Sequence, residues 1–520
     1  MKRLAKFLHN RLFLICFLLF FASFFWHSWY GFTHLSFSQD YARDLLLTEN
    51  SWNKKEWIIS YGPKTSVGNF YLAPLYYQLY LLFWYFFPGG YSSMTWFIIF
   101  VESLTPVLLF LTLRKVFSEA ISTVVSASYI FYFLPLVYAS SPWNPNMIPF
   151  LSLACLYSYA QYFETKKKWY IVTGVLSVAL AFQLHYQAVM LVPFVGCFFI
   201  YSLITDKSAW KAWLLAVSIS LLTFIGYFVA EVNNHFMNTT LMVNYFFYQR
   251  THYFDRISKP EFVFTYLPDL IDRIVMGYSK YFFFNLSIGR ILFFCGFAYM
   301  SFLAYKHFHQ QKRHLIYLLY FFLIFFMMRI YKGDKVDYYL SSLFILPAFL
   351  FAYLLKLHRI FIVVFIVALI FLSQKIIRTE HYNRYTELRH IIQGVDGKIT
   401  DKSARVFIYN KDDINTLAYG MRKFSTFVID QKDQDVIEVC RKNEHCAAVV
   451  YAPICEYSRQ YSQLTQLKLD GGYKQNSTLA LGEFVIAIGR LEKPAQLSGR
   501  FYHQSEYGSD SLLPELTEEW

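Results

Sequence analysis

Asp40, Arg43 and Asp44 stand three and four residues apart in the run Ser36-Phe-Ser-Gln-Asp-Tyr-Ala-Arg-Asp44, so on a helix they share one face. A carboxylate there can take a proton from an attacking hydroxyl or amine, and a neighbouring cation can steady negative charge that develops on a leaving group. Ser36 or Ser38 is placed to cap such a helix. Asp40 would then lie in the first turn, where the helix dipole favours an acid. Two readings stay open on this stretch alone: a solvated helix start that favours acids, and a catalytic carboxylate at a membrane surface.

Tyr61-Gly-Pro-Lys-Thr-Ser-Val-Gly-Asn-Phe-Tyr-Leu-Ala-Pro-Leu-Tyr-Tyr77 follows. Gly62-Pro63 and Gly68-Asn69 form turns. Lys64, Thr65, Ser66 and the backbone around Gly68 can together receive a phosphate, against the plainer reading of a surface loop. Pro74 opens an aromatic helix that carries Tyr76 and Tyr77. Further along, Asn144 in Ser140-Ser-Pro-Trp-Asn-Pro-Asn-Met-Ile-Pro149 can orient substrate hydroxyls or belong to a rigid proline-rich turn. His185, beside Gln183 and Tyr186, can touch a sugar or phosphate or serve packing alone. Arg329, Lys332 and Lys335, just before Tyr338, form a basic patch suited to a phosphate or to lipid headgroups. Glu102 lies inside an apolar run, where an acid is costly and marks function or a buried partner.

The elements that must hold these groups are membrane spans. The chain has 520 residues, is 56% hydrophobic and 21% aromatic, and carries 16% charge, too apolar for a soluble protein of this length. The formal charge of +13 sits largely in short clusters between apolar runs, a topology signal and not a nucleic-acid surface. Apolar spans are predicted at 12–32, 94–113, 119–139, 148–164, 169–187, 188–204, 212–231, 281–305, 315–331, 338–355 and 360–374. Lys2, Arg3, Lys6 and Arg11 put the N-terminus in the cytoplasm. If 70–88 does not cross, Arg114-Lys115, Lys166 to Lys168, Lys207 with Lys211, Lys306 through Arg313, and Lys356 with Arg359 all fall inside. Ten of the nineteen residues in 70–88 are Phe, Tyr or Trp, the composition of an interfacial belt. The expectation is a mainly α, polytopic protein of about 11 spans. Residues 1–374 form its membrane domain, with outer loops 33–93 and 232–280.

Residues 375–520 read as a small outer α/β domain with a loose acidic tail. Ala404-Arg-Val-Phe-Ile-Tyr, Phe424-Ser-Thr-Phe-Val-Ile, Ala447-Ala-Val-Val-Tyr and Phe484-Val-Ile-Ala-Ile have the pattern of short strands. Cys440, Cys446 and Cys455 face an oxidising compartment on this topology, and one disulfide is expected among them, its pairing open. Cys16, Cys155, Cys197 and Cys295 fall in apolar spans and read as small buried residues.

Asp40-Tyr-Ala-Arg-Asp-Leu-Leu, followed by Gly-Pro-x-Thr-Ser-Val-Gly and Pro-Leu-Tyr-Tyr, resembles the first outer loop of polytopic glycosyltransferases with the GT-C fold. The likeness is to family 39, the bacterial relatives of the protein O-mannosyltransferases and of the aminoarabinose transferase that modifies lipid A. It covers about 1–375. It implies a transferase in the bacterial cytoplasmic membrane, with the C-terminal domain outside. Such enzymes take a sugar from a polyprenyl-phosphate carrier and pass it to a lipid, glycan or protein acceptor. Asp40 matches the family's catalytic Asp and would be the base; Asp44 is the second candidate for that catalytic role, or orients Arg43 or Lys64 instead. Many relatives place an acid in the second outer loop, where this chain has Trp143, Asn144 and Asn146. That departure weakens the case for a carboxylate-bound metal; no cofactor is called for, and a divalent cation stays open. The rival readings are a flippase or transporter of a lipid-linked sugar, and a polymerase or ligase of surface polysaccharide using a diphosphate-linked donor.

Overall fold

A computed structural model of the chain describes residues 11–34, 39–65, 70–87, 92–245, 286–307, 312–330, 337–358 and 360–363, and six strands between 405 and 502. Ser36, Ser38, Ser66, Gly68, Lys332, Lys335, Cys440 and Cys455, most of 232–280 and most of 360–374 lie outside the described residues, as do the side chains of Asp40, Arg329, Tyr338 and Cys446. The chain divides into two compact units. One comprises residues 1–31, 60–79 and 92–380, and the other 32–59, 80–91 and 381–520.

The first unit is helical, and its proline positions set where helices begin. Pro149, Pro193 and Pro347 each sit at the first or second position of a helix, Ile148–Thr165, Val192–Thr205 and Leu346–Leu357. The missing N–H has no intrahelical partner there and the fixed φ suits the first turn. The same rule divides the predicted 119–139 span. It is two helices, Glu119–Tyr129 and Phe133–Ser140, with Tyr132 extended between them and Pro135 in the first turn of the second. The predicted 212–231 span is likewise a bent pair, through Thr223 and then Ile225–Asn233, at 58°. Among the described residues, four helices are long and apolar enough to cross a membrane, or five if that pair is one span. Leu75–Phe86 has 12 residues. It rises about 18 Å, well short of a hydrocarbon core of about 30 Å.

The core of this unit is aromatic. Tyr159 lies between Phe198, stacked at 4.6 Å, and Trp213, while Tyr317, Tyr320, Phe349 and Tyr353 are fully buried. Gly174 is required beside it, because a Cβ there would stand 2.8 Å from the Tyr159 ring. Of the cysteines read as buried, Cys155 is buried, Cys16 and Cys197 are half-buried, and Cys295 is exposed, on the side of its helix that also exposes Ile291 and Phe302. An apolar environment of lipid tolerates a thiol on that face as readily as a protein core does.

Both ends of the helices are tied by contacts that sequence alone brings from far apart. At one end Glu164 pairs with Lys115 at 3.6 Å and with Arg313, whose guanidinium also donates to the Lys115 carbonyl. Arg11 pairs with Glu119 at 2.7 Å and Lys168 with Asp206 at 3.5 Å. The basic turns expected on one side of a membrane therefore gather at one end of the bundle. At the other end meet the turns around 144, 185 and 341.

In the second unit the strands build one sheet in the order β4-β5-β3-β1-β2-β6, with β1 Arg405–Tyr409, β2 Ser425–Ile429, β3 Cys446–Tyr451, β4 Tyr473–Leu481, β5 Phe484–Leu491 and β6 Gly499–Tyr502. β1 runs parallel to β2 and β3; β5 pairs antiparallel with β3, and antiparallel β4 and β6 form the two edges. The four strands expected from sequence are β1, β2, β3 and β5.

Candidate active site

Asp40 is the second residue of the helix Gln39–Asn53. An acid there faces the positive end of the helix dipole. One turn on, Asp44 is fully buried, and its Oδ1 accepts from Arg43 Nε at 3.0 Å and from a terminal guanidinium nitrogen at 2.8 Å. Arg43 keeps 16% of its side chain exposed. Asp44 thus fixes the guanidinium of its neighbour, and a buried pair of this kind is held only while both charges are present. Tyr41, Leu45 and Leu47 bury the rest of the helix; Tyr41 faces Tyr80 at 6.4 Å.

In the first unit, residues 61–72 fold back on themselves as a hairpin. Gly62 N–H donates to the Leu72 carbonyl at 2.8 Å, Leu72 N–H to Pro63 at 3.0 Å and Thr65 N–H to Phe70 at 2.9 Å. Lys64 bridges to Tyr71 in antiparallel register. Gly62 has no substitute, since a Cβ would lie 2.2 Å from the Ala73 carbonyl oxygen. Tyr61, Gly62 and Pro63 are buried while Lys64 is exposed, its ammonium 5.9 Å from the centre of the Tyr71 ring. The hairpin therefore presents one cation on a fixed backbone. Tyr76 and Tyr77, expected to line a site, are fully buried with their rings 5.6 Å apart.

A polar cradle grips this hairpin from three later parts of the chain. Tyr61 O–H donates to Glu231 Oε1 at 2.8 Å and accepts from Asn234 Nδ2 at 3.1 Å. The other Glu231 oxygen accepts from Thr239 N–H at 2.7 Å and Thr239 O–H at 2.5 Å. Asn238 brackets Tyr71, accepting its N–H at 2.6 Å and donating to its carbonyl at 3.1 Å. Tyr186 O–H donates to the same carbonyl at 2.9 Å, and Phe70 stacks on Tyr186. Burial pushes the Tyr61 phenol up to about 12, against a smaller opposing effect of Asn234, so it stays a donor at neutral pH. The corner that supplies Glu231 is strained: His235 and Phe236 are left-handed at φ 51° and 56°. Such backbone costs roughly 1–3 kcal/mol per residue and needs surrounding bonds to hold it. Phe236 N–H to the Glu231 carbonyl at 2.7 Å, and Thr239 to its carboxylate, supply them.

The remaining candidates join the same end of this unit. Asn144 is buried, and its amide donates to the Leu184 carbonyl at 2.7 Å. His185 ends its helix in an extended conformation, and its Nδ1 accepts from Gln187 N–H at 3.3 Å. Accepting there leaves the ring proton of the neutral form on Nε2. Gln187 donates to Ser341 Oγ, in the short helix Asp337–Leu343 that carries Tyr338. Glu102 is buried mid-helix, and neither carboxylate oxygen has a hydrogen-bond partner among the described residues. Pro106, four residues on, has no N–H to give its carbonyl.

Sequence reading missed Glu231, Asn234, Asn238 and Thr239. Glu231 was the last residue of an apolar span, and a lone acid followed by Asn233, Asn234 and Asn238 was the available signal. Its partner lies 170 positions away, which no local pattern reveals. Among the described residues no three His, Cys, Asp or Glu side chains come together to hold a metal ion, so the described donors do not build a cation site.

No family model matches the sequence, and no curated protein matches it. The fold does have counterparts of known structure. ArnT from Cupriavidus metallidurans bound to undecaprenyl phosphate superposes at TM-score 0.59 with 12% identity, over 92% of this chain and 97% of that one. Its apo form gives 0.56 over the same shares. The Archaeoglobus fulgidus oligosaccharyltransferase in complex with Zn and sulfate gives 0.52 with 12% identity, over 95% of this chain and 76% of that one. The chain has the GT-C fold, that of polytopic membrane glycosyltransferases.

Proposed function

We propose that the chain is an integral-membrane glycosyltransferase that moves a sugar from a polyprenyl-phosphate carrier to an acceptor on the extracytoplasmic side. The observation that carries this reading is the match along nearly the whole chain to a GT-C protein bound to undecaprenyl phosphate. The first-loop run from Asp40 to Tyr77 accompanies it. Asp40, near the start of its helix, takes the proton of the acceptor hydroxyl or amine as that atom attacks the anomeric carbon. The bond to the carrier phosphate breaks and the phosphate leaves with its charge. Lys64, fixed on the hairpin, steadies that charge, and Arg329, Lys332 and Lys335 add to it. Arg43, held by Asp44, orients substrate. His185 and Asn144 set the outer turns against which the sugar rests, and Tyr338 adds to them from the short helix Asp337–Leu343.

The protein then lies in a bacterial cytoplasmic membrane with its N-terminus inside and its sheet domain outside. The gathering of the basic turns at one end of the bundle supports that orientation. The test is transfer from polyprenyl-phosphate sugar by the full chain and by Asp40→Asn. Full activity in a normally inserted variant would remove Asp40 from its role.

A further inference from the structure

The first loop is gripped by a buried carboxylate that no step above uses. Glu231 has no exposed surface and accepts hydrogen bonds from Tyr61, Thr239 N–H and Thr239 O–H. All three partners donate, so both of its oxygens serve as acceptors. The direction of the chain is fixed as well. Asn234 donates to Tyr61, Tyr61 to Glu231, and the hairpin then closes from Tyr61 through Gly62–Leu72 to the bridge at Lys64. Asn238 and Tyr186 hold the returning strand at Tyr71, across from Lys64. Nothing else in the hairpin is charged among its described residues, so the position of its exposed cation depends on this grip.

We infer that Glu231 is a positioning residue: through Tyr61 it fixes the hairpin that carries Lys64, and so sets how strongly the protein prefers a lipid with a phosphate head over the same lipid without one. This rests on the proposed function for the identity of the lipid. The substitution Glu231→Gln keeps the shape but replaces one acceptor by a donor. Turned towards Thr239, the new amide faces an N–H and an O–H. Turned towards Tyr61, it meets an oxygen already bonded by Asn234, and the phenol proton loses its acceptor. Either way one donor is left without a partner in a buried place.

The experiment is equilibrium binding of undecaprenyl phosphate and of undecaprenol to the purified full chain in lipid nanodiscs. Wild type is compared with Glu231→Gln and with Tyr61→Phe, which removes a single hydroxyl and leaves the bonds of Glu231 to Thr239. A general loosening of the protein weakens both lipids alike, whereas loss of positioning weakens the phosphate alone. Both variants are expected to bind undecaprenyl phosphate about tenfold more weakly, the scale of one hydrogen bond to a charged group, with undecaprenol unchanged. If Glu231→Gln does not fold, Tyr61→Phe decides. Wild-type preference for the phosphate in a folded Tyr61→Phe, or equal loss for both lipids, overturns the inference alone. A wild-type chain that shows no preference for undecaprenyl phosphate over undecaprenol overturns the functional reading and the inference with it.

Discussion

The helix at Asp40 and the hairpin at Lys64, for each of which a role toward the substrate is proposed, are built in opposite ways. In the helix the polar contacts described are local: Asp44 holds the residue beside it, and Thr48 donates to the Asp44 carbonyl one turn back at 2.8 Å. In the hairpin local backbone bonds set the register of Lys64, and distant side chains seat it on the body of its unit. Its register depends on one glycine, and its seat on Tyr186, Glu231, Asn234 and Asn238, which lie more than a hundred residues away. A proton-transfer group needs an exact environment over a few ångströms, which one helical turn supplies. A group that meets a leaving phosphate must be fixed to the body of the protein, which only long-range contacts supply. Chemistry should therefore fail when the helix is changed and affinity when the hairpin is changed.

The largest effect is expected in the helix. Asp40→Asn should lower the transfer rate by roughly 10²–10⁴-fold while leaving donor affinity near wild type, read from single-turnover and binding measurements. Weakened donor binding with an unaltered chemical step would reverse the assignment of the two regions. Next, Asp44→Ala should lower stability by about 3 kcal/mol in thermal unfolding of the solubilised protein, because it removes one charge of a largely buried ion pair. Gly62→Ala should cost about 2–3 kcal/mol and also weaken donor binding, since Ala73 cannot withdraw its carbonyl without opening the hairpin. A Gly62→Ala protein of wild-type affinity would show that the hairpin does not need its observed register.

The smallest effect concerns Tyr61. Its phenol loses a proton at about 12 in the folded protein against about 10 when exposed, so the folded state holds that proton more tightly. The stabilisation is complete below pH 10 and is lost as pH rises through 12. Tyr61→Phe should cost about 1 kcal/mol at neutral pH and flatten that alkaline decline, as followed by thermal unfolding across pH. An unchanged decline in the variant would assign it to other groups.

The same contrast explains what the sequence discloses. The helix was legible because its residues repeat on one turn, and β1, β2, β3 and β5 because continuous apolar runs such as Arg405-Val-Phe-Ile-Tyr409 suit the inner strands of a partly parallel sheet. β4 was not, because Tyr473-Lys-Gln-Asn-Ser-Thr is polar enough to read as a turn, and an edge strand tolerates that. The helix starts at Pro135 and Pro347 were masked by unbroken hydropathy across them, whereas the break before Pro193 was legible between 169–187 and 188–204. The cradle stayed hidden because each member looks ordinary in its own neighbourhood: Tyr61 a loop residue, Tyr186 an interfacial aromatic, Glu231 the end of a span. Tyr76 and Tyr77 show a further gap, since interfacial composition does not say which aromatic side chains face inward, and both are buried.

The central claim is that this chain cleaves a sugar from a lipid monophosphate. The most direct measurement is mass spectrometry of the lipid left when the purified full chain is given polyprenyl-phosphate sugar and acceptor in liposomes. Release of free polyprenyl phosphate in step with glycosylated acceptor, abolished by Asp40→Asn, is the predicted result. Movement of intact donor between leaflets without cleavage, or turnover only of a diphosphate-linked donor, would contradict it.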